Sequence, residues 1–460
     1  MPAWLSDILP ILILLAVITA VVTRLPRVQV GHSPAFLRRR FANWFPVGLT
    51  YAFLYMGRYN LNVAKNALGA QMSIPDFGTI FFWGTLTYGC SFVVNGPLAD
   101  RIGGRKTILM SAIGTAVMNV AMGATLLVGT KHVVGVFSVL YSLNMYFQSF
   151  GAVSIVKVNA AWFHVRERGT FGGIFGILIS LGVWVAYDWG GFIVKHAPVH
   201  WVFFVPAIIL IVLAAVDVVL VRDTPRDAGL ADFDPQDASS GDDGPRLPVW
   251  EVAKKMLRNK AIMTIALVEF CSGFLRDSIT QWYTIFAKST GIDGLFVAKH
   301  WGLLLCLAGI TGGMFAGVIS DRVFTSRRGP VCAVLYGAMV LGTLGMSALI
   351  TSAALGWLMV AMFLCIIGVH GMLSGTASMD FGGKKNVGVA VGLIDGFVYL
   401  GVAAEALALG YALPKESFAK IAANWWTWPA VMLPAAAIGF VLATRLWNAK
   451  PKAKAFAAAH

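Results

Sequence analysis

The 460-residue sequence predicts an all-α polytopic membrane protein: two six-helix halves preceded by one extra N-terminal transmembrane helix. Three observations carry that expectation. The chain is 58% hydrophobic and only 13% charged, with a mean hydropathy of +0.74, where a soluble protein of this length would be roughly a quarter charged. Its apolar residues fall in runs of about 20, enough to cross a bilayer as helix, separated by short basic clusters. A Gly-x-x-x-Asp-Arg element also occurs twice, once in each half.

The net charge of +14 and a pI near 9.7 could suggest a nucleic-acid partner. That class is excluded because the basic residues sit at the ends of apolar runs, not along a surface stripe. The partner they imply is the lipid bilayer. Cys90, Cys271, Cys306, Cys332 and Cys365 are scattered through apolar segments, without metal spacing or a disulfide framework. No nucleophile–base motif or phosphate-cradling loop occurs, so neither enzyme chemistry nor a cofactor or metal is expected.

The first run, near 5–23, has no Lys or Arg before it, Asp7 near its start, and Arg24, Arg27, Arg38, Arg39 and Arg40 behind it. This polarity predicts an uncleaved anchor with its N-terminus outside. Twelve further spans are expected near 42–64, 77–99, 107–128, 133–156, 170–191, 201–221, 261–286, 297–320, 330–350, 354–375, 387–412 and 424–446. Alternating the loops from the first anchor places 27 Lys and Arg on the cytoplasmic side and 7 outside, out of 36. That bias puts the C-terminus in the cytoplasm and leaves two basic residues inside the membrane, Arg58 and Arg276.

The polar stretch 222–260 reads as a flexible, Pro-, Ser- and Asp-rich linker. Its end, "VWEVAKKMLRNK", reads as a short helix on the inner membrane surface. The predicted organisation is therefore an anchor and basic loop at 1–40, a six-helix bundle at 41–225, a cytoplasmic linker at 226–258, a second bundle at 259–448 and a tail at 449–460. "GPLADRIGGRK" (Gly96 to Lys106) follows the second core span, and "GVISDRVFTSRRGP" (Gly317 to Pro330) follows the eighth. A duplicated six-span transporter carries the same element at the same place in both halves. Simple basic anchoring of loops explains the arginines but neither the glycines nor the matched aspartates.

Arg58 precedes Asp100 by 42 residues and Arg276 precedes Asp321 by 45, so the two occupy near-equivalent places on the first helix of each half. An intramembrane arginine costs at least ~2.5–3.5 kcal/mol, and such positions can converge on a central cavity. Two guanidinium forks facing one cavity suit a dianion. The competing reading pairs each arginine with an acid. Asp277 adjoins Arg276 but should point away from it, and Glu269, seven residues earlier, lies near the same face. Tyr55, Asn62 and Lys65 share a face with Arg58; Tyr88, Gln148, Trp282, Tyr283 and Tyr399 are further polar or aromatic candidates. Lys65 reads as a lysine snorkelling at the outer mouth. Glu269, Asp395 and Glu405 are possible proton-coupling acids, whereas Asp188 and Asp217 lie near span ends and are expected to be solvated.

Six ordered segments resemble the organophosphate:phosphate antiporter family of the major facilitator superfamily. They are "FLYMGRYNLN", "WFHVRERG", "RDTPRDAGL", "FLRDSITQWY", "SDRVFTSRRGP" and "MLSGTASMDFGGKKNVGVAVGLIDGFVYLG", spread over about residues 36–446. The resemblance implies the major facilitator fold and exchange of a phosphate ester for inorganic phosphate by alternating access. The family's two phosphate-binding arginines fall on Arg58 and Arg276. It also implies gating by Asp100, Arg101, Arg105, Asp321 and Arg322, which would hold the halves together in one access state. The chain departs from the family at Tyr59, Phe92 and Ile179, where relatives carry lysine, lysine and histidine. These changes imply a different or bulkier organic moiety.

The leading expectation is a monomeric inner-membrane exchanger of a small organophosphate against inorganic phosphate. The substrate-binding set is Arg58, Arg276, Tyr55, Asn62, Tyr88, Gln148, Trp282 and Tyr399. Two alternatives stand beside it: a proton-coupled symporter of a carboxylate or phosphonate, and a non-transporting sensor of a phosphorylated ligand.

Overall fold

A computed structural model describes residues 31–129, 132–164, 167–232, 249–324 and 328–447. The expected N-terminal span, most of the linker and the C-terminal tail lie outside the described residues. Every regular element within them is helical. In a bilayer a helix satisfies its own backbone groups, so apolar runs of this length have no cheaper structure.

The first half contains α1 (Pro34–Leu68), α2 (Ile74–Ile102), α3 (Gly104–Val128), α4 (Val133–Ala160), α5 (Arg168–Trp184), α6 (Gly190–His196) and α7 (Trp201–Leu220). A π-helical turn, Val185–Trp189, joins α5 to α6 as one span. The linker contributes α8 (Val249–Arg258). The second half contains α9 (Lys260–Thr280), α10 (Trp282–Thr290), α11 (Phe296–Lys299), α12 (Trp301–Val323), α13 (Arg328–Leu349), α14 (Leu355–His370), α15 (Thr376–Ala412) and α16 (Thr427–Arg445). A second π-helical turn, Gly371–Gly375, lies between α14 and α15. With α9 and α10 forming one span and α11 a short connection, the described residues make six spans in each half.

Local sequence sets the helix starts. Ser33 caps α1 by accepting from the Phe36 amide, with Pro34 at the first helical position. Ser73 and Asp76 cap α2 reciprocally. Among the described residues, nine stretches are long and apolar enough to cross a membrane. α1 and α9, which carry Arg58 and Arg276, are not among them. These two helices face protein on most sides, so they can carry polar residues that a lipid-facing helix cannot.

The packing is reciprocal between halves. α2 lies along α15, and α12 lies along α5. In span numbers the second pairs with the eleventh and the eighth with the fifth, as a two-fold relation between six-span halves requires. Gly78 and Gly410 let α2 and α15 approach at backbone distance; a Cβ on Gly78 would lie 2.6 Å from the Gly410 Cα. Val94, Val128, Val139, Phe192, Val219 and Leu341 are exposed on the outer surface, as residues solvated by lipid chains should be. The end of the bundle with the 69–73, 197–200 and 291–295 connections is called the far end below, and the other the linker end.

Candidate anion site

Arg58 lies midway along the bundle, only 2% exposed. Its backbone is fixed first. Asn144 of α4 donates to the Gly57 carbonyl at 3.0 Å, and the Tyr141 hydroxyl donates to the Arg58 carbonyl at 3.2 Å. Interhelical polar contacts of this kind hold helices in a medium that gives them no hydrophobic drive. The guanidinium is then gripped on all three nitrogens: Nε donates to Gln148 Oε1 at 2.9 Å, and its terminal nitrogens donate to the hydroxyls of Tyr399 at 2.9 Å and Tyr88 at 2.6 Å. The Arg58 Cζ also sits 4.7 Å from the Tyr55 ring centre and 4.5 Å from that of Tyr88. Tyr55, Tyr88, Gln148 and Tyr399 thus gather on Arg58 from α1, α2, α4 and α15. All four partners are neutral, so the arginine keeps its full charge, and two of its five N–H donors stay outside these three bonds.

Arg276, on α9, is 9% exposed and held differently. Its Cζ lies 5.3 Å from the Tyr399 ring centre, so this tyrosine touches both arginines. Its Nε and one terminal nitrogen are buried without a hydrogen-bond partner. The nearest carboxylate oxygen, Asp277 Oδ1, is 3.6 Å from Nε, an ion pair too long for a hydrogen bond. Two expectations are corrected here. Asp277 does not point away from its neighbour, because both side chains turn into the same buried space. Glu269 is not the partner of Arg276, because it sits on His370 of α14, with Oε2 and Nδ1 2.8 Å apart.

The other singled-out residues separate into three groups. Asn62 is buried where the halves meet toward the far end; it donates to the Gln281 carbonyl at 2.9 Å and accepts from Thr284 at 2.7 Å. Trp282 is also buried there, edge-on to Phe77 of α2 at 5.5 Å. Both close the far end, with Tyr187 donating to the Thr280 carbonyl at 3.0 Å. Of the acids, Asp395 accepts from Ser374 at 2.6 Å, and both oxygens of buried Glu405 lack a hydrogen-bond partner. Asp217 is not solvated as expected, and Asp188 is half-buried and held by backbone amides. Asp217 is buried and accepts from Thr50 at 2.7 Å, and Asp188 accepts from the Gly302 and Leu303 amides at 2.9 and 3.1 Å.

Among the linker-end residues, Asp100 pairs with Lys157 at 2.7 Å. The Arg105 backbone amide donates to Asp223 Oδ1 at 2.7 Å, and its guanidinium donates to the Val218 carbonyl at 2.6 Å. These contacts stay within the first half, and Arg101 is exposed. The backbone of Asp321 and Arg322 belongs to α12. Sequence reasoning does not mark His370 or Tyr187; the only signal they carry is an ionisable or hydroxyl side chain inside an apolar run.

The chain therefore brings two arginines, one from each half, to a single tyrosine at the centre of a helical membrane protein, Arg58 among neutral partners and Arg276 beside one carboxylate. Comparison with known proteins agrees with this architecture. Residues 47–405 match the Major Facilitator Superfamily. The glycerol-3-phosphate transporter of Bacillus subtilis is 27% identical over 91% of this chain and 95% of its own length. The membrane sensor protein UhpC of Salmonella typhimurium is 27% identical over 88% and 90%. A solved bacterial homologue of the human lysosomal transporter Spinster shares the fold, with a TM-score of 0.66 at 14% identity over 91% of this chain and 98% of that one. The chain belongs to the Major Facilitator Superfamily, as a multi-pass transporter and not an enzyme, and its likeness to the organophosphate:phosphate antiporter branch extends over nearly its whole length.

Proposed function

We propose that the protein exchanges a small organophosphate for inorganic phosphate across the inner membrane, with Arg58 and Arg276 gripping the phosphoryl group from opposite halves. The observation that carries this reading is the meeting of both guanidiniums on Tyr399, with unused donors on Arg276. A phosphoryl dianion offers the oxygens those donors lack, and charge-assisted forks offset its lost hydration. Because the two arginines ride on different halves, the bound anion interacts with both, which eases the passage between the two access states. The linker end faces the cytoplasm, with the N-terminus outside and the C-terminus inside, and the protein works as a monomer.

Exchange of labelled phosphate by phosphate-loaded proteoliposomes tests the reading. Arg58→Lys and Arg276→Lys should each lose at least ~100-fold in rate, because an ammonium cannot form the planar fork. Normal exchange in both variants refutes the site. Uptake driven by a pH gradient without internal phosphate would turn the reading to proton symport. A second reading, a sensor of a phosphorylated ligand, is favoured by the similarity to the Salmonella membrane sensor protein. Retained binding of phosphate esters by the unaltered protein without any exchange would select it.

A further inference from the structure

Two guanidiniums at the centre of the bundle, Arg58 and Arg276, share it with four buried or nearly buried carboxyl groups: Asp277, Glu269, Asp395 and Glu405. If all four were ionised, the core would carry a net negative charge and repel the anion the arginines are placed to bind. Asp277 adjoins Arg276 and interacts with Arg58 as well. Glu405 lies near enough to Asp277 to act on it and faces the Trp282 and Ser278 side chains, with neither oxygen in a well-formed hydrogen bond. Anion binding in this core therefore depends on where protons sit.

Glu269 and His370 are the pair built to exchange one. Glu269 is fully buried, with Oε2 2.8 Å from His370 Nδ1 and Oε1 without a partner. The imidazole side chain keeps 29% exposure, so protons can reach it while the carboxylate stays dry. Arg276 from α9 and Asp395 from α15 lie close enough to act on the ring electrostatically. Against Glu269, α13 places Cys332 and Tyr336, the latter donating to the Val268 carbonyl at 2.6 Å. Asp395 is in turn engaged by Ser374 at 2.6 Å. Glu269 lies seven residues, about two helical turns, toward the linker end from Arg276 on α9. The pair thus stands next to the anion site on that side.

We infer that Glu269 and His370 form a proton-binding site whose occupancy is coupled to that of the anion site through Arg276. The step adds one proton from solution to the neutral imidazole, giving an imidazolium–carboxylate pair; the reverse step returns it. With the anion site empty, the Arg276 charge opposes a second cation nearby. A bound dianion removes that opposition. Linkage is reciprocal, so protonation strengthens anion binding by the same factor. The inference rests on the phosphate-exchange reading and extends it to a proton taken up with the anion.

Calorimetric titration of the full-length protein with inorganic phosphate, in buffers of different ionisation enthalpy, counts the protons bound per anion. After subtracting phosphate's own proton exchange, the unaltered protein should take up about one proton per phosphate near neutral pH. Glu269→Gln and His370→Gln should each abolish that uptake and flatten the pH dependence of phosphate affinity. No uptake by the unaltered protein overturns the inference without recourse to any variant. Uptake that persists in both variants, with binding retained, also overturns it, because the proton then goes elsewhere. Failure of the unaltered protein to bind phosphate or any phosphate ester overturns the exchange reading and the inference together.

Discussion

The two arginines occupy matching places in matching halves, yet their surroundings differ in kind. Arg58 has three neutral hydrogen-bond partners and stacked aromatic rings. Arg276 has one carboxylate beyond hydrogen-bonding distance, one shared ring and two buried nitrogens with nothing to donate to. The duplication has kept the charge and divided the labour. The first half holds its cation in a finished cage, while the second leaves its cation unsatisfied and surrounds it with titratable groups. A satisfied arginine belongs to the fold as much as to the site; an unsatisfied one belongs mainly to its ligand.

Alanine at the two positions should break this comparison most visibly. Arg58→Ala strands the Tyr88 and Tyr399 hydroxyls and Gln148 in the dry centre of the bundle, and should cost about 3 kcal/mol of stability. Arg276→Ala removes a cation with two unbonded nitrogens but leaves buried Asp277 without its ion-pair partner; because that carboxyl can take up a proton, the variant should lose less stability than Arg58→Ala. Both should abolish exchange. Thermal unfolding of the two variants side by side decides the matter; if Arg276→Ala is the more destabilising, the asymmetry described above is wrong.

Tyr399 joins the two regimes, and its substitutions sharpen the comparison. Tyr399→Phe removes the acceptor for Arg58 but keeps the ring beside Arg276. One lost charge-assisted bond is worth about 1.5–3 kcal/mol at most, and water or the anion can replace part of it. Tyr399→Leu removes the ring as well, and each buried cation–π contact adds ~1–2 kcal/mol. Phosphate exchange should therefore fall about tenfold further in the leucine variant than in the phenylalanine variant. Equal losses would mean that Tyr399 serves Arg58 alone.

The sequence announced the arginines because a charge in lipid is costly whatever its partner, so any ionisable residue in an apolar run stands out. Partners are another matter. Glu269 faces His370 and not Arg276 because the rotation of α9 is set by packing against α14, α15 and α16, which no residue spacing records. Asp217, and in part Asp188, depart from the sequence expectation for a related reason. Nearness to the end of a span implies water only where no other helix covers that end, and here Thr50 of α1 and the start of α12 cover them. The twelve-span plan and its two halves were legible from run length and the repeated loop; the closing contacts at the far end were not, because they depend on how the halves meet.

The smallest expected effect tests those closing contacts. Asp188 sits in the π-helical turn of the fifth span, a local widening often found at functional positions. Its carboxylate caps the N-terminus of α12 through the Gly302 and Leu303 amides, so one half supplies the anion and the other the helix dipole. Gly302 makes room for it, since a Cβ there would lie 2.7 Å from Asp188 Oδ1. Asp188→Asn keeps an acceptor but loses the charge, which at a helix N-terminus is worth about 0.3–1 kcal/mol. Asn62 and Tyr187 still bridge the halves, so the far end should stay mostly closed while its open population rises about two- to fivefold. Spin labels at Val199 and Asp293, in a chain whose five cysteines have been replaced, would report that rise as a growing long-distance component. An unchanged distance distribution would assign the far-end closure to Asn62 and Tyr187 and leave Asp188 as a helix cap alone.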